Sequence, residues 1–108
     1  MAGVTRGDVY RVRPRTGRGR EHRGARYAVI VQAEELLGLS TVVIAPTSRS
    51  AVAATFRPEV TVGGQPTRVM VEQLRAIDLE RLDRLSGRLA ATEQRAVDDA
   101  LELVLGLR

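Results

Sequence analysis

The 108-residue chain carries 17 arginines, no lysine, 13 acids and one histidine, for a net charge of +4. It has no cysteine, which excludes disulfides and thiolate metal sites and makes a cytoplasmic location the default expectation. Apolar residues make up 44% of it, enough for a single domain over residues 1–108 with one core, and no apolar run reaches the length of a membrane span.

The charge is unevenly placed. Residues 1–31 hold eight arginines against Asp8 and Glu21, whereas the remainder holds nine against eleven acids. A basic first third joined to a mildly acidic remainder suits a face that meets a polyanion. The missing lysines fit codon bias in a GC-rich genome, yet arginine is also the better phosphate ligand because its planar fork binds two oxygens at once. Only Tyr10, Tyr27 and Phe56 are aromatic, which argues against a base-stacking platform. Residues 1–8 show no apolar stretch of the signal-peptide kind.

Gly7–Arg13 reads as a strand ended by Pro14. Residues 15–25 (RTGRGREHRGA) form a Gly/Arg loop too polar for a core, read as a binding loop that an anion would order. Tyr27–Gln32 follows as a strand buried on both faces, with Arg26 at its mouth. Arg26 either places a charge that never titrates against a phosphate or merely ends the strand in water. Residues 33–38 suit one helical turn closed by Gly38. Ser40–Ala45 is a second buried strand, expected to stop at Pro46 and leave Thr47 and Ser48 at its end.

Residues 51–54 read as a featureless link. Phe56–Val62 and Arg68–Val71 read as two strands around the turn dipeptide Gly63-Gly64. Glu72 and Arg75 are expected to form an internal ion pair or a dimer contact. Asp78 can cap a short turn through Arg81, and Leu82–Leu89 is extended with a break at Ser86-Gly87. Thr92 opens a terminal helix as N-cap. Val97, Ala100, Leu101 and Val104 recur on one face, Asp98, Asp99 and Glu102 on a solvated one, and Gly106 closes it. Short strands with one terminal amphipathic helix indicate a mainly β fold, a small curved antiparallel barrel covered by the helix.

The acids show no recognisable metal-ligand spacing, so two-metal hydrolysis finds no candidate cluster. His22 is the only histidine, so an acid/base pair of histidines is impossible within one chain. No glycine-rich phosphate loop precedes a helix, and no Gly-x-Ser-x-Gly elbow exists. RNA, however, carries its own nucleophile. A protein need only align the 2′-hydroxyl and stabilise charge on phosphorus, a task that suits arginine beside a hydroxyl.

Gly7-Asp8-Val9-Tyr10, Arg26 opening an apolar strand, Ala45-Pro46-Thr47-Ser48 and Val71-Glu72-Gln73-Leu74-Arg75-Ala76-Ile77-Asp78 together resemble the MazF/PemK (Kid) toxin family, and the terminal helix fits it too. The resemblance covers nearly the whole chain. It implies an SH3-like barrel, a homodimer, and a metal-independent, sequence-specific endoribonuclease of a toxin–antitoxin system with no cofactor. It further implies Arg26 and Thr47 as catalytic residues, cleaving single-stranded RNA to a 2′,3′-cyclic phosphate and a 5′-hydroxyl. Because arginine is a poor base at neutral pH, its expected work is transition-state charge stabilisation and proton donation to the leaving 5′-oxygen. Thr47 alone would be a commonplace strand-end residue, and its weight rests on the resemblance.

Arg18, Arg20, His22, Arg23, Ser48 and Gln73 are the expected RNA contacts. Two positions depart from the family pattern. Tyr27 stands where many members have proline, and Arg20, within Gly19-Arg20-Glu21, stands where many have a serine. The expected partners are single-stranded RNA and a cognate antitoxin with an acidic or flexible C-terminal segment, and no membrane. A non-enzymatic inhibitor of another protein, like the gyrase poisons of this fold, and an inactive RNA-binding module are the alternatives.

Overall fold

Val29 and Ile30 are neighbours in sequence and both fully buried, which requires their strand to be covered on both faces. In the computed structural model, which describes residues 3–14 and 26–108, that strand is β2 (Arg26–Ile30). It lies between β1 (Asp8–Val12) and β3 (Thr41–Ser48) in a seven-stranded sheet with β4 (Glu59–Val62), β5 (Gln65–Val69), β6 (Arg75–Asp78) and β7 (Leu82–Arg88). The order is β4-β5-β3-β2-β1-β7, with β6 also paired to β3, and every pairing is antiparallel. The mainly β fold expected from the sequence is the observed one: the sheet curls into a half-barrel, closed by α1 (Ala91–Leu105).

Alternation along the strands sorts the core into two clusters. Val29, Val31 and Ala45 pack with Val60, Val69, Val71, Val97 and Ala100 under α1. Ala28, Ile30, Val42 and Ile44 pack on the opposite face with Tyr10, Ile77 and Leu82. The residues 28–31 run is uniformly apolar because it serves both clusters. Burying Val97 alone contributes about 1.5 kcal/mol.

β3 runs through Pro46 instead of stopping there. Residues Thr41–Ile44 pair with β6 on one side, while Thr47 and Ser48 pair with β5 on that same side. The Pro46 carbonyl accepts Met70 N–H at 2.8 Å, so the position of its missing N–H faces the gap where one partner strand ends and the next begins. No ladder bond is lost. β7 likewise runs through Ser86-Gly87: Tyr10 pairs with Leu85 and Val9 with Gly87, so Ser86 is an extra residue in a bulge, not a break.

The hairpin turn at Gly63-Gly64 is as expected, with φ of +60° and +79° at its two residues, the pattern of a type I′ turn. Its first strand begins at Glu59, since residues 55–57 turn and bend, and its second begins at Gln65. The turn at residues 33–38 is a 3₁₀ helix over Glu34–Leu36. The segment after Asp78 is another, Leu79–Arg81, but the Asp78 side chain makes no capping bond. The N-cap of α1 is Ala90, not Thr92, which sits inside the first turn. Glu93 supplies the cap by reaching back to Ala90 N–H at 2.8 Å, while its other oxygen takes Thr61 N–H at 2.9 Å. Gly106 ends the helix at φ +69°, with Leu107 N–H bonded to the Glu102 carbonyl.

Candidate active site

The register Ala28↔Pro46 sets Tyr27 beside Thr47 at the end of the β2–β3 ladder. Thr47 Oγ1 donates to the Tyr27 carbonyl at 3.3 Å, which orients the hydroxyl next to the strand that carries Arg26. At that end Arg26 pairs with Val12 of β1 and Thr47 with Val69 of β5, so each residue is held by one neighbouring strand. Arg26 is exposed and Thr47 half-buried, an arrangement in which a fixed hydroxyl stands beside a charge open to a ligand.

The two residues border a groove of about 690 Å³. Its walls carry the guanidinium groups of Arg26 and Arg49 and the hydroxyls of Ser48, Ser50 and Thr67, with Tyr27 and Met70 between them. No carboxylate lines it among the described residues. Ser48 Oγ lies 3.3 Å from Ser50 Oγ and also accepts Ser50 N–H at 3.3 Å, which tightens the turn leaving β3. Arg49 Nη1 donates to Gln65 Oε1 at 3.3 Å, joining that turn to the start of β5. A second, smaller cleft of about 70 Å³ also has Arg26 and Thr47 in its wall. The pair therefore stands on the ridge between two cationic hollows.

A groove lined by positive charge and hydroxyls, with donors on fixed strands, is suited to holding the phosphate of a polyanion. Comparison with known proteins identifies a family for the chain. The family model described as PemK-like, MazF-like toxin of type II toxin–antitoxin systems matches residues 5–105. The chain belongs to this family.

Among its relatives, endoribonuclease MazF9 of Mycobacterium tuberculosis is 32% identical over 96% of this chain and 98% of its own length. A candidate toxin of the same organism is 47% identical over 77 residues, 70% of this chain and 72% of its own. A solved mycobacterial endoribonuclease bound to its cognate antitoxin covers 98% of both chains with a TM-score of 0.81; at 18% identity it supports the fold alone.

Within this MazF-like toxin, the structure brings Arg26, Thr47 and Ser48 together on one groove. Gln73 lies in the 3₁₀ turn Val71–Gln73 and is exposed, but it does not line the groove; its amide lies 3.4 Å from Glu72 Oε2. Arg18, Arg20, His22 and Arg23 lie outside the described residues. Tyr27 packs partly into the cluster under α1 and also lines the groove.

Glu72 does form an internal ion pair, but with Arg57 instead of Arg75. The 3₁₀ turn ends before β6 begins, so Glu72 and Arg75 belong to different elements, whereas the loop before β4 brings Arg57 to 2.6 Å. The guanidinium holds the Glu72 carboxyl below its usual range. Sequence reading missed Arg49, Gln65 and Thr67 as groove residues; Arg49 follows Thr47 by two residues, whereas only the β3–β5 pairing, Thr47↔Val69 and Ser48↔Arg68, brings Gln65 and Thr67 to it.

Proposed function

We propose that this toxin is an endoribonuclease that cuts single-stranded RNA by transesterification without a metal ion. The 2′-oxygen attacks the adjacent phosphorus as its proton passes to water, and the P–O5′ bond breaks. The leaving oxygen takes up a proton from water, and the products carry a 2′,3′-cyclic phosphate and a 5′-hydroxyl. Arg26 stabilises the negative charge that builds on the phosphorane and donates a hydrogen bond to the departing 5′-oxygen. It does not act as the base, because a guanidinium stays charged throughout the range in which RNA is handled. Thr47 holds a non-bridging oxygen, and Ser48 contributes a second hydroxyl.

The observation that carries this reading is the fixed pairing of Thr47 with the Tyr27 backbone beside Arg26, on a groove without a carboxylate among the described residues. Among those residues, no three His, Cys, Asp or Glu side chains are grouped to hold a metal. A homodimer would place two such grooves in one assembly, working in the cytoplasm, and an antitoxin with an acidic segment would compete for the arginines. Solved relatives from Deinococcus radiodurans include a MazE–MazF complex, and we assign this chain a partner of the same type.

The test is cleavage of a long single-stranded RNA in excess EDTA by the wild type and Arg26→Ala. Discrete cuts ending in cyclic phosphate, falling at least about 100-fold in the variant, are the expected result. Equal cleavage by both would remove Arg26 from the reaction. RNA bound by both yet left intact would favour the inactive binding module. RNA neither bound nor cut would favour an inhibitor of another protein.

A further inference from the structure

Arg26 shares its face of β2 with Ala28 and Ile30, which belong to the core cluster away from α1. At the mouth of that cluster lies the smaller cleft of about 70 Å³, roughly the room of two liquid waters and of the size to admit one tetrahedral oxyanion. Four elements each bring one arginine to it. Arg13 follows β1, Arg26 opens β2, Arg75 opens β6, and Arg81 closes the 3₁₀ turn Leu79–Arg81. The floor includes Ala28, Ile44 and Ile77, and no carboxylate lines the cleft among the described residues.

Two of the four arginines are braced. Arg13 Nη1 donates to the Glu80 carbonyl and Nη2 lies 3.4 Å from Asp83, while Arg81 Nε donates to the Arg13 carbonyl at 3.0 Å. Arg26 and Arg75 have no ion-pair or hydrogen-bond partner among the described residues. Both are exposed, and the register Ile44↔Arg75 fixes Arg75 on the face of β6 that also carries Ile77. Four guanidinium groups gather over an apolar floor, with the Asp83 carboxylate beside Arg13, and like charges repel one another there. An anion bound there would relieve that repulsion.

The geometry points to this cleft as a second phosphate subsite, which holds a phosphate adjacent to the scissile one while Arg26 bridges the two. This rests on the ribonuclease reading. An RNA strand whose reacting phosphate lies at Arg26 and Thr47 carries its next phosphate one nucleotide away. The ridge on which the pair stands offers that phosphate a cationic hollow on the side opposite the groove. Arg75 is its principal ligand, since Arg13 and Arg81 already spend donors on the backbone.

The test uses a short single-stranded RNA spanning one mapped cleavage site, with each phosphate near the cut replaced in turn by an uncharged methylphosphonate. Wild type is compared with Arg75→Gln and with Arg95→Gln, which removes the same charge from the exposed face of α1. Arg75→Gln should raise KM about tenfold with kcat little changed, and should lower the salt dependence of binding by about 0.7 in log–log slope. One neighbouring methylphosphonate should raise KM for wild type and Arg95→Gln but add nothing in Arg75→Gln. Additive effects at every phosphate would overturn the subsite. So would an Arg75→Gln defect shared by Arg95→Gln, or one that a changed oligomeric state by sedimentation accounts for. If wild type cuts no RNA at all, the ribonuclease reading fails first, and the subsite fails with it.

Discussion

Arg57 grips one oxygen of Glu72 with two guanidinium nitrogens, Nε at 3.0 Å and Nη2 at 2.6 Å from Oε2. The remaining nitrogen, Nη1, donates to the Val52 carbonyl at 3.2 Å, and the Arg57 carbonyl accepts from Arg68 Nη1 at 2.9 Å. Its guanidinium carbon lies 5.6 Å from the centre of the Phe56 ring. One side chain thus ties the segment after β3 to the 3₁₀ turn that carries Gln73. The segment at residues 51–54, featureless in sequence, is anchored through this contact.

This pair makes stability depend on acid. The hydrogen bonds from Arg57 hold the Glu72 carboxyl below its normal range, so the carboxylate's contribution is complete above the pKa of an unfolded glutamate. It is lost as pH falls through the lower folded value. Melting temperatures of wild type and Glu72→Met should therefore differ more at pH 6 than at pH 3. A constant difference across that range would mean that packing, not charge, holds the turn.

Gln73 is exposed, and among the described residues its side-chain amide makes one long contact, with Glu72. Its removal should leave stability within about 0.5 kcal/mol while changing which sites are cut in a long RNA. Mapping the 5′ ends produced by wild type and Gln73→Ala checks this, and identical maps would take Gln73 off the RNA-reading surface.

Thr47 offers two substitutions that separate chemistry from packing. Thr47→Ser keeps the hydroxyl and should retain cleavage within about tenfold; Thr47→Val keeps the shape and should lose roughly 100-fold, the scale of one oriented donor. Both should remain folded, with circular dichroism spectra like the wild type's. Comparable rates for the two variants would show that the methyl group matters more than the hydroxyl.

Glu93 joins the helix to the sheet through its bonds to Ala90 N–H and Thr61 N–H. Glu93→Ala leaves both donors without this acceptor and should cost about 1–2 kcal/mol in urea denaturation. Thr92→Ala, at the residue expected to cap, should cost less, since no hydroxyl there caps the helix.

Local signals determined much of this protein. Continuous apolar runs marked β2 and β3 as doubly buried, Gly63-Gly64 marked the hairpin, and the 3.6-residue period marked α1 with Val97 and Ala100 inward. These features depend on neighbours along the chain, so the chain displays them. Arg26 stood out as a candidate phosphate ligand from its place at the mouth of a buried strand. Its pairing with Thr47 was legible only through the family pattern, because neither residue type is distinctive by itself. Tertiary structure decided the rest. It carried β3 through Pro46, since a missing donor costs nothing where partner strands change over. It gave Glu72 to Arg57 and released Arg75 to a cleft of arginines, because strand pairing sets which charges meet across more than a few residues.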